Sequence, residues 1–131
     1  MNSILSKKQS MKNSILTQRK KIFIAPFANK IPLISSLLLD VVDKGTIKKI
    51  YLFGSYVYGK PKKTSDIDIC VVIDDQADRV ETYMKMLDPL IEQKIRPCDL
   101  IVTRESDFYG TNNINSIENT IIKYGRLLYG E

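Results

Sequence analysis

Asp66 and Asp68 are the residues on which a chemistry can be built, because they stand two residues apart at the head of an apolar run that ends at Ile73. In an extended strand successive side chains point to opposite faces. The two carboxylates therefore share a face, while Ile67, Ile69 and Val71 fill the other. Two like charges about 4 Å apart repel by roughly 4 kcal/mol at an effective dielectric of about 20. The chain contains no histidine, so either one acid stays protonated or a cation sits between them. A hard divalent ion such as Mg2+ takes oxygen ligands and leaves room for substrate phosphates. Upstream, a second apolar run, Ile50 to Phe53, ends in Gly54-Ser55. Gly54 lets the backbone approach a ligand closely, and Ser55 at a strand-to-helix turn can offer its amide and hydroxyl to a phosphate. Metal on one side and phosphate on the other is the machinery of phosphoryl or nucleotidyl transfer.

The elements that must position these groups follow from the surrounding pattern. Thr46 to Phe53 and Ile67 to Ile73, rich in Ile, Val, Tyr and Phe, predict two strands. Ser55 to Tyr58 predicts a short helical turn, broken by Gly59-Lys60-Pro61. Before them, Ile34, Leu37, Leu38, Val41 and Val42 recur at helical spacing, with Pro32 tolerated in a first turn and Gly45 suited to a helix stop. After them, Asp74 to Ile91 predicts a helix whose core stripe is Val80, Met84, Leu87 and Ile91, with Met84 and Met86 as core filling. Lys94 to Val102 predicts a third strand, which Pro97 places at an edge or confines at its start, and Asp99 is its one acid. Arg104 to Asn115 reads as a polar loop. Ser116 caps a helix over Ile117 to Tyr124 that Gly125 stops, and Leu127 to Tyr129 adds a short final strand. The expected fold class is α/β (α+β), a small mixed sheet flanked by helices.

Composition narrows the field further. At 131 residues the chain has one core to bury, not two. Its formal charge of +5 is unevenly distributed: residues 1–30 hold seven Lys/Arg and no acid, whereas the remainder sums to −2. The basic character belongs to a tail, so nucleic-acid binding is expected only through that tail, if at all. The tail carries a near-repeat, Asn2-Ser3-Ile4-Leu5-Ser6 and Asn13-Ser14-Ile15-Leu16-Thr17, and reads as solvated, partly disordered or helical. The expected boundaries are a tail over 1–30 and a folded domain over 31–131. Cys70 and Cys98 lack metal-ligand spacing and read as reduced, buried small hydrophobes. No stretch approaches the ~20 apolar residues of a membrane span, and a cytoplasmic location is expected.

GSYVYGKPKKTSDIDI (Gly54 to Ile69) resembles the signature of the DNA polymerase β-type nucleotidyltransferase superfamily: Gly-Ser, ten residues, Asp-x-Asp. Four fixed positions match by chance in roughly one chain in a thousand of this length. Small size and the ending IENTIIKYGRLLYGE are similar to the minimal (MNT) branch, the antitoxin half of modules whose partner is a HEPN toxin. The resemblance implies that Asp66 and Asp68 bind two Mg2+ ions and that Asp99 completes the metal site and helps deprotonate the acceptor. It implies that Gly54 and Ser55 hold the β- and γ-phosphates of ATP. The family pattern carries Arg where this chain has Tyr58; Lys60, Lys62 and Lys63 stand near enough to substitute, and Lys63 is taken as the nucleotide-binding one. The implied reaction is transfer of AMP to a tyrosine of a HEPN partner. Two alternatives stand beside it: a small-molecule transferase of the aminoglycoside-modifying type, and a non-catalytic antitoxin acting by occlusion.

Overall fold

The computed structural model describes residues 30–61, 66–95, 98–110 and 116–131. Residues 1–29 of the expected tail, Lys62, Lys63 and Pro97 lie outside the described residues. Among the described residues nine elements follow one another: α1 (Ile31–Asp40), β1 (Ile47–Phe53), α2 (Ser55–Tyr58), β2 (Ile67–Ile73), α3 (Arg79–Glu92), β3 (Cys98–Arg104), α4 (Glu105–Tyr109), α5 (Ile117–Tyr124) and β4 (Arg126–Tyr129). The four strands form one sheet in the order β3-β2-β1-β4. β1 runs antiparallel to β2 and β4, and β2 runs parallel to β3, so the sheet is mixed as expected.

β2 is buried on both faces because it lies between two strands and beneath two layers of helix. On one face Ile67, Ile69, Val71 and Ile73 meet Ile50 and Leu52 of β1, Ile34 and Leu38 of α1, and Met86 and Leu90 of α3. On the other, Cys70 and Val72 meet Tyr51, Phe53, Phe108 of α4 and Ile121 of α5. The apolar run Ile69–Ile73 of this strand is what burial on both faces demands.

Several expectations are corrected here. α1 stops at Asp40, and Gly45 (φ +87°) belongs to the turn that follows. α3 begins at Arg79, where the Asp78 side chain accepts the Glu81 N–H, because that cap satisfies a first-turn donor the preceding residues cannot. Its core side is Thr82, Met86, Pro89 and Leu90. Of the stripe expected to face the core, Leu87 packs against it, but three members point outward instead: Val80 is 63%, Met84 60% and Ile91 47% exposed. Both sets recur at helical spacing, two residues or about 200° apart, so periodicity fits either face. β3 starts at Cys98 and runs to Arg104, and of the segment read as a loop Glu105–Tyr109 forms α4, whose Phe108 is fully buried, while residues 111–115 lie outside the described residues.

Candidate active site

Strand register assembles the site. Asp68 pairs with Phe53 across the antiparallel ladder and with Asp99 across the parallel one. Paired residues share a face, so Asp68 and Asp99 project from the side that farther along the strands carries Cys70, Tyr51 and Phe108. The helices covering that face leave its near end open: Asp68 is half-buried, and Asp66 and Asp99 are exposed.

Asp68 registers its neighbours electrostatically. Burial pushes its carboxyl above the ordinary range, and the negative charges of Asp99 and then Asp66 push it further the same way. Asp99 and Asp66 therefore each oppose ionisation of Asp68, the situation a bound cation would relieve. The donor set is all carboxylate in a protein without histidine, which suits a hard ion such as Mg2+ rather than zinc. The acids fit such an ion chemically. Among the described residues, though, no three acids or thiols are gathered closely enough to form a ready-made cage.

Gly54 closes the other side. It ends β1 with φ +78° and ψ −154°, a conformation essentially reserved for glycine. A Cβ there would overlap the Asp68 carboxylate, with Cγ 2.8 Å away. The missing side chain is thus the space that the acid occupies. From Gly54 the chain turns into α2, where the Gly54 carbonyl accepts the Val57 and Tyr58 N–H groups at 2.9 Å. Ser55 opens this turn beside the acids.

Tyr58 occupies the place of the family arginine. Burial raises its pKa, a hydrogen bond with the Gly54 backbone opposes that shift, and the Asp68 charge adds to it. Its ring stands edge-on to Tyr124 at 6.4 Å. Sequence reasoning missed Tyr124, whose signal, one aromatic at the end of a helix, points nowhere in particular. The structure thus brings Gly54, Asp68, Asp99 and Asp66 together; Lys63 lies outside the described residues. Cys70 is free and buried, and Cys98 has no described side chain. A cavity of about 300 Å3 lined by Asp43, Thr46, Asp78, Glu81 and Lys85 lies at the opposite end of β2. Its lining shares no residue with the Asp66, Asp68 and Asp99 cluster, which sits at the other, open end of the strands.

Fold, strand register and motif define a nucleotidyltransferase, and residues 34–128 match the nucleotidyltransferase domain family. The chain belongs to that family. Its structure is similar to one described as a toxin–antitoxin with AMP-PNP, at 27% identity and a TM-score of 0.55, covering 79% of this chain and 74% of that one. It is also similar to a double Asp-to-Glu variant of a toxin–antitoxin complex called MntA–HpeT, at 24% identity and a TM-score of 0.52, covering 76% and 71%. A tri-AMPylated Shewanella oneidensis HEPN toxin in complex with MNT antitoxin matches at 24% identity and a TM-score of 0.46, covering 76% and 68%. No curated protein matches the chain. Among the described residues no helix is long and apolar enough to cross a membrane.

Proposed function

We propose that this chain transfers AMP from ATP to a hydroxyl acceptor, a tyrosine of a helical HEPN partner, and so acts as the antitoxin of a two-component module. The observation that carries the reading is the pairing of Asp68 with Asp99 beside the Gly54 turn. The solved relative holding AMP-PNP supports a nucleoside triphosphate as substrate. The acceptor oxygen attacks the α-phosphorus, the bond to the bridging oxygen of pyrophosphate breaks, and pyrophosphate leaves with those electrons. The acceptor's proton passes to a carboxylate, assigned to Asp99 because no histidine is available. Gly54 and Ser55 hold the β- and γ-phosphates, and Lys63 is assigned to the same tail of the nucleotide. Asp66, Asp68 and Asp99 would hold Mg2+, which supplies charge neutralisation at the attacking and leaving oxygens.

Incubation with labelled ATP, Mg2+ and the co-encoded helical protein tests this. Label on a partner tyrosine is expected, and Asp66→Asn and Asp68→Asn should abolish it while circular dichroism stays unchanged. Wild-type labelling by either variant would remove the assignment. Label on an aminocyclitol alone would instead make the chain a small-molecule transferase. One observation favours the occlusion reading: the Tyr58 hydroxyl engages the Gly54 backbone at the phosphate turn. Neutralisation of the partner by Asp68→Ala as fully as by the wild type would establish that reading.

A further inference from the structure

Tyr58 ends α2, one helical turn after Gly54. In a helix the Cα–Cβ bond tilts toward the N-terminus, so a long side chain leans back over the turn before it. Tyr58 leans back in this way: its hydroxyl meets the Gly54 backbone, within reach of the Asp68 charge. A bond that stabilises the phenolate is one that the backbone N–H donates, so the phenol oxygen is the acceptor. Tyr124, at the end of α5, stands edge-on to the ring with centroids 6.4 Å apart. Tyr58 is nevertheless 45% exposed, so the ring is braced on one side and open to solvent at the mouth of the site.

A phenol is donor and acceptor at once. Its oxygen accepts from Gly54, which leaves the hydroxyl proton to be donated outward, and accepting one hydrogen bond strengthens the donation of the other. Burial and the Asp68 charge both keep the phenol protonated, so it meets an anion as a donor. The turn it leans over, Gly54-Ser55, is the one that holds the β- and γ-phosphates in the reading above. A phosphate oxygen arriving there takes the Gly54 N–H in place of the phenol oxygen and accepts the phenol O–H. One hydrogen bond within the protein is thereby exchanged for two to the ligand.

We infer that the Tyr58 hydroxyl donates to the terminal phosphates of the nucleotide, beside the Gly54 amide and Ser55. The inference rests on the nucleotidyl-transfer reading and deepens it, because it makes a neutral phenol one of the groups that tell a triphosphate from a monophosphate. A hydroxyl that only blocked the turn would act with the opposite sign, since its removal would ease binding.

Isothermal titration of the full chain in Mg2+, with ATP and in parallel with AMP, tests this. Tyr58→Phe keeps the ring and its contact with Tyr124 and deletes the hydroxyl alone. ATP should then bind roughly tenfold more weakly, as expected for one hydrogen bond to a charged group. AMP, which lacks the terminal phosphates, should bind as it does to the wild type, and the melting temperature should not change. Unchanged or tighter ATP binding would overturn the inference and leave the transfer reading in place. Equal weakening of ATP and AMP would overturn it too, since Tyr58 would then support the shape of the site and not the phosphate tail. Failure of the wild type to bind ATP would remove the transfer reading and the inference with it.

Discussion

Replacing Gly54 by alanine probes the closest approach in the site. The backbone at φ +78° and ψ −154° costs a residue with a side chain about 1–3 kcal/mol. The new methyl would also overlap the Asp68 carboxylate, whose Cγ lies 2.8 Å and Cβ 3.2 Å from the Cβ position. The backbone of Asp68 cannot retreat, because β2 is paired on both sides. Its side chain must leave its rotamer, at a cost of about 0.5–1.5 kcal/mol. A less flexible unfolded chain returns about 0.4–1 kcal/mol. The net expectation is a loss of about 2 kcal/mol, a fall in melting temperature of roughly 10 °C for a domain of this size. Gly45 is the internal control: it has φ +87° but nothing within 4 Å of its Cβ position, so Gly45→Ala carries backbone strain alone. Urea denaturation of both variants measures the difference, and the double variant Gly54→Ala/Asp68→Ala should recover part of it. If Gly54→Ala costs no more than Gly45→Ala, the carboxylate does not fill the space beside the glycine, and the close packing of the site is wrong.

Three further outcomes follow from the same structure. Because the folded-state pKa of Asp68 is raised, the folded protein holds that proton more tightly than the unfolded one. Wild-type stability should therefore fall, relative to Asp68→Asn, as pH rises from the ordinary carboxylate range through the raised value, and the variant should be at least as stable at pH 7; a less stable variant in urea at pH 7 would refute this. Burial pushes the Cys70 thiol up to about 12, so iodoacetamide at pH 8 should label it only when the protein opens, a rate that mass mapping of the Cys70 peptide reads. Phe108→Ala removes a fully buried ring whose centroid lies 5.7 Å from that of Tyr51, and should cost about 3–5 kcal/mol by urea denaturation.

What the sequence made legible is local. Gly-Ser, ten residues and Asp-x-Asp lie between two strands in the structure as in the pattern, since unbroken β-branched runs ended by glycine have few other ways to fold. Ser116 was legible as a cap for the same reason: its side chain accepts the Asn119 N–H, a bond spanning three residues. Facing was not legible. α3 offers Val80, Met84 and Ile91 on one side and Met86, Pro89 and Leu90 on the other, and only the contacts with α1 and β3 decide between them. α4 escaped notice because five residues are too few to show a period, and the burial of Phe108 depends on a partner, Tyr51, 57 positions away. The pairing of Asp99 with Asp68 is a statement about parallel register, which no stretch of either strand contains alone.

That register is where the core and the chemistry meet. β2 and β3 align Ile69 with Leu100 and Val71 with Val102, and the same ladder aligns Asp68 with Asp99. A slip of one residue would turn Leu100 and Val102 away from the layer shared with α1 and α3, and would send Asp99 to the opposite face from Asp68. Ionised acids side by side do not choose each other's company, since Asp99 and Asp66 both disfavour the charge on Asp68. The apolar residues deeper in the strands must therefore impose the arrangement, and they do so without contact with any ligand. Repulsion held in place by a packed core is a site prepared for positive charge before any arrives, which is what electrostatic preorganisation requires.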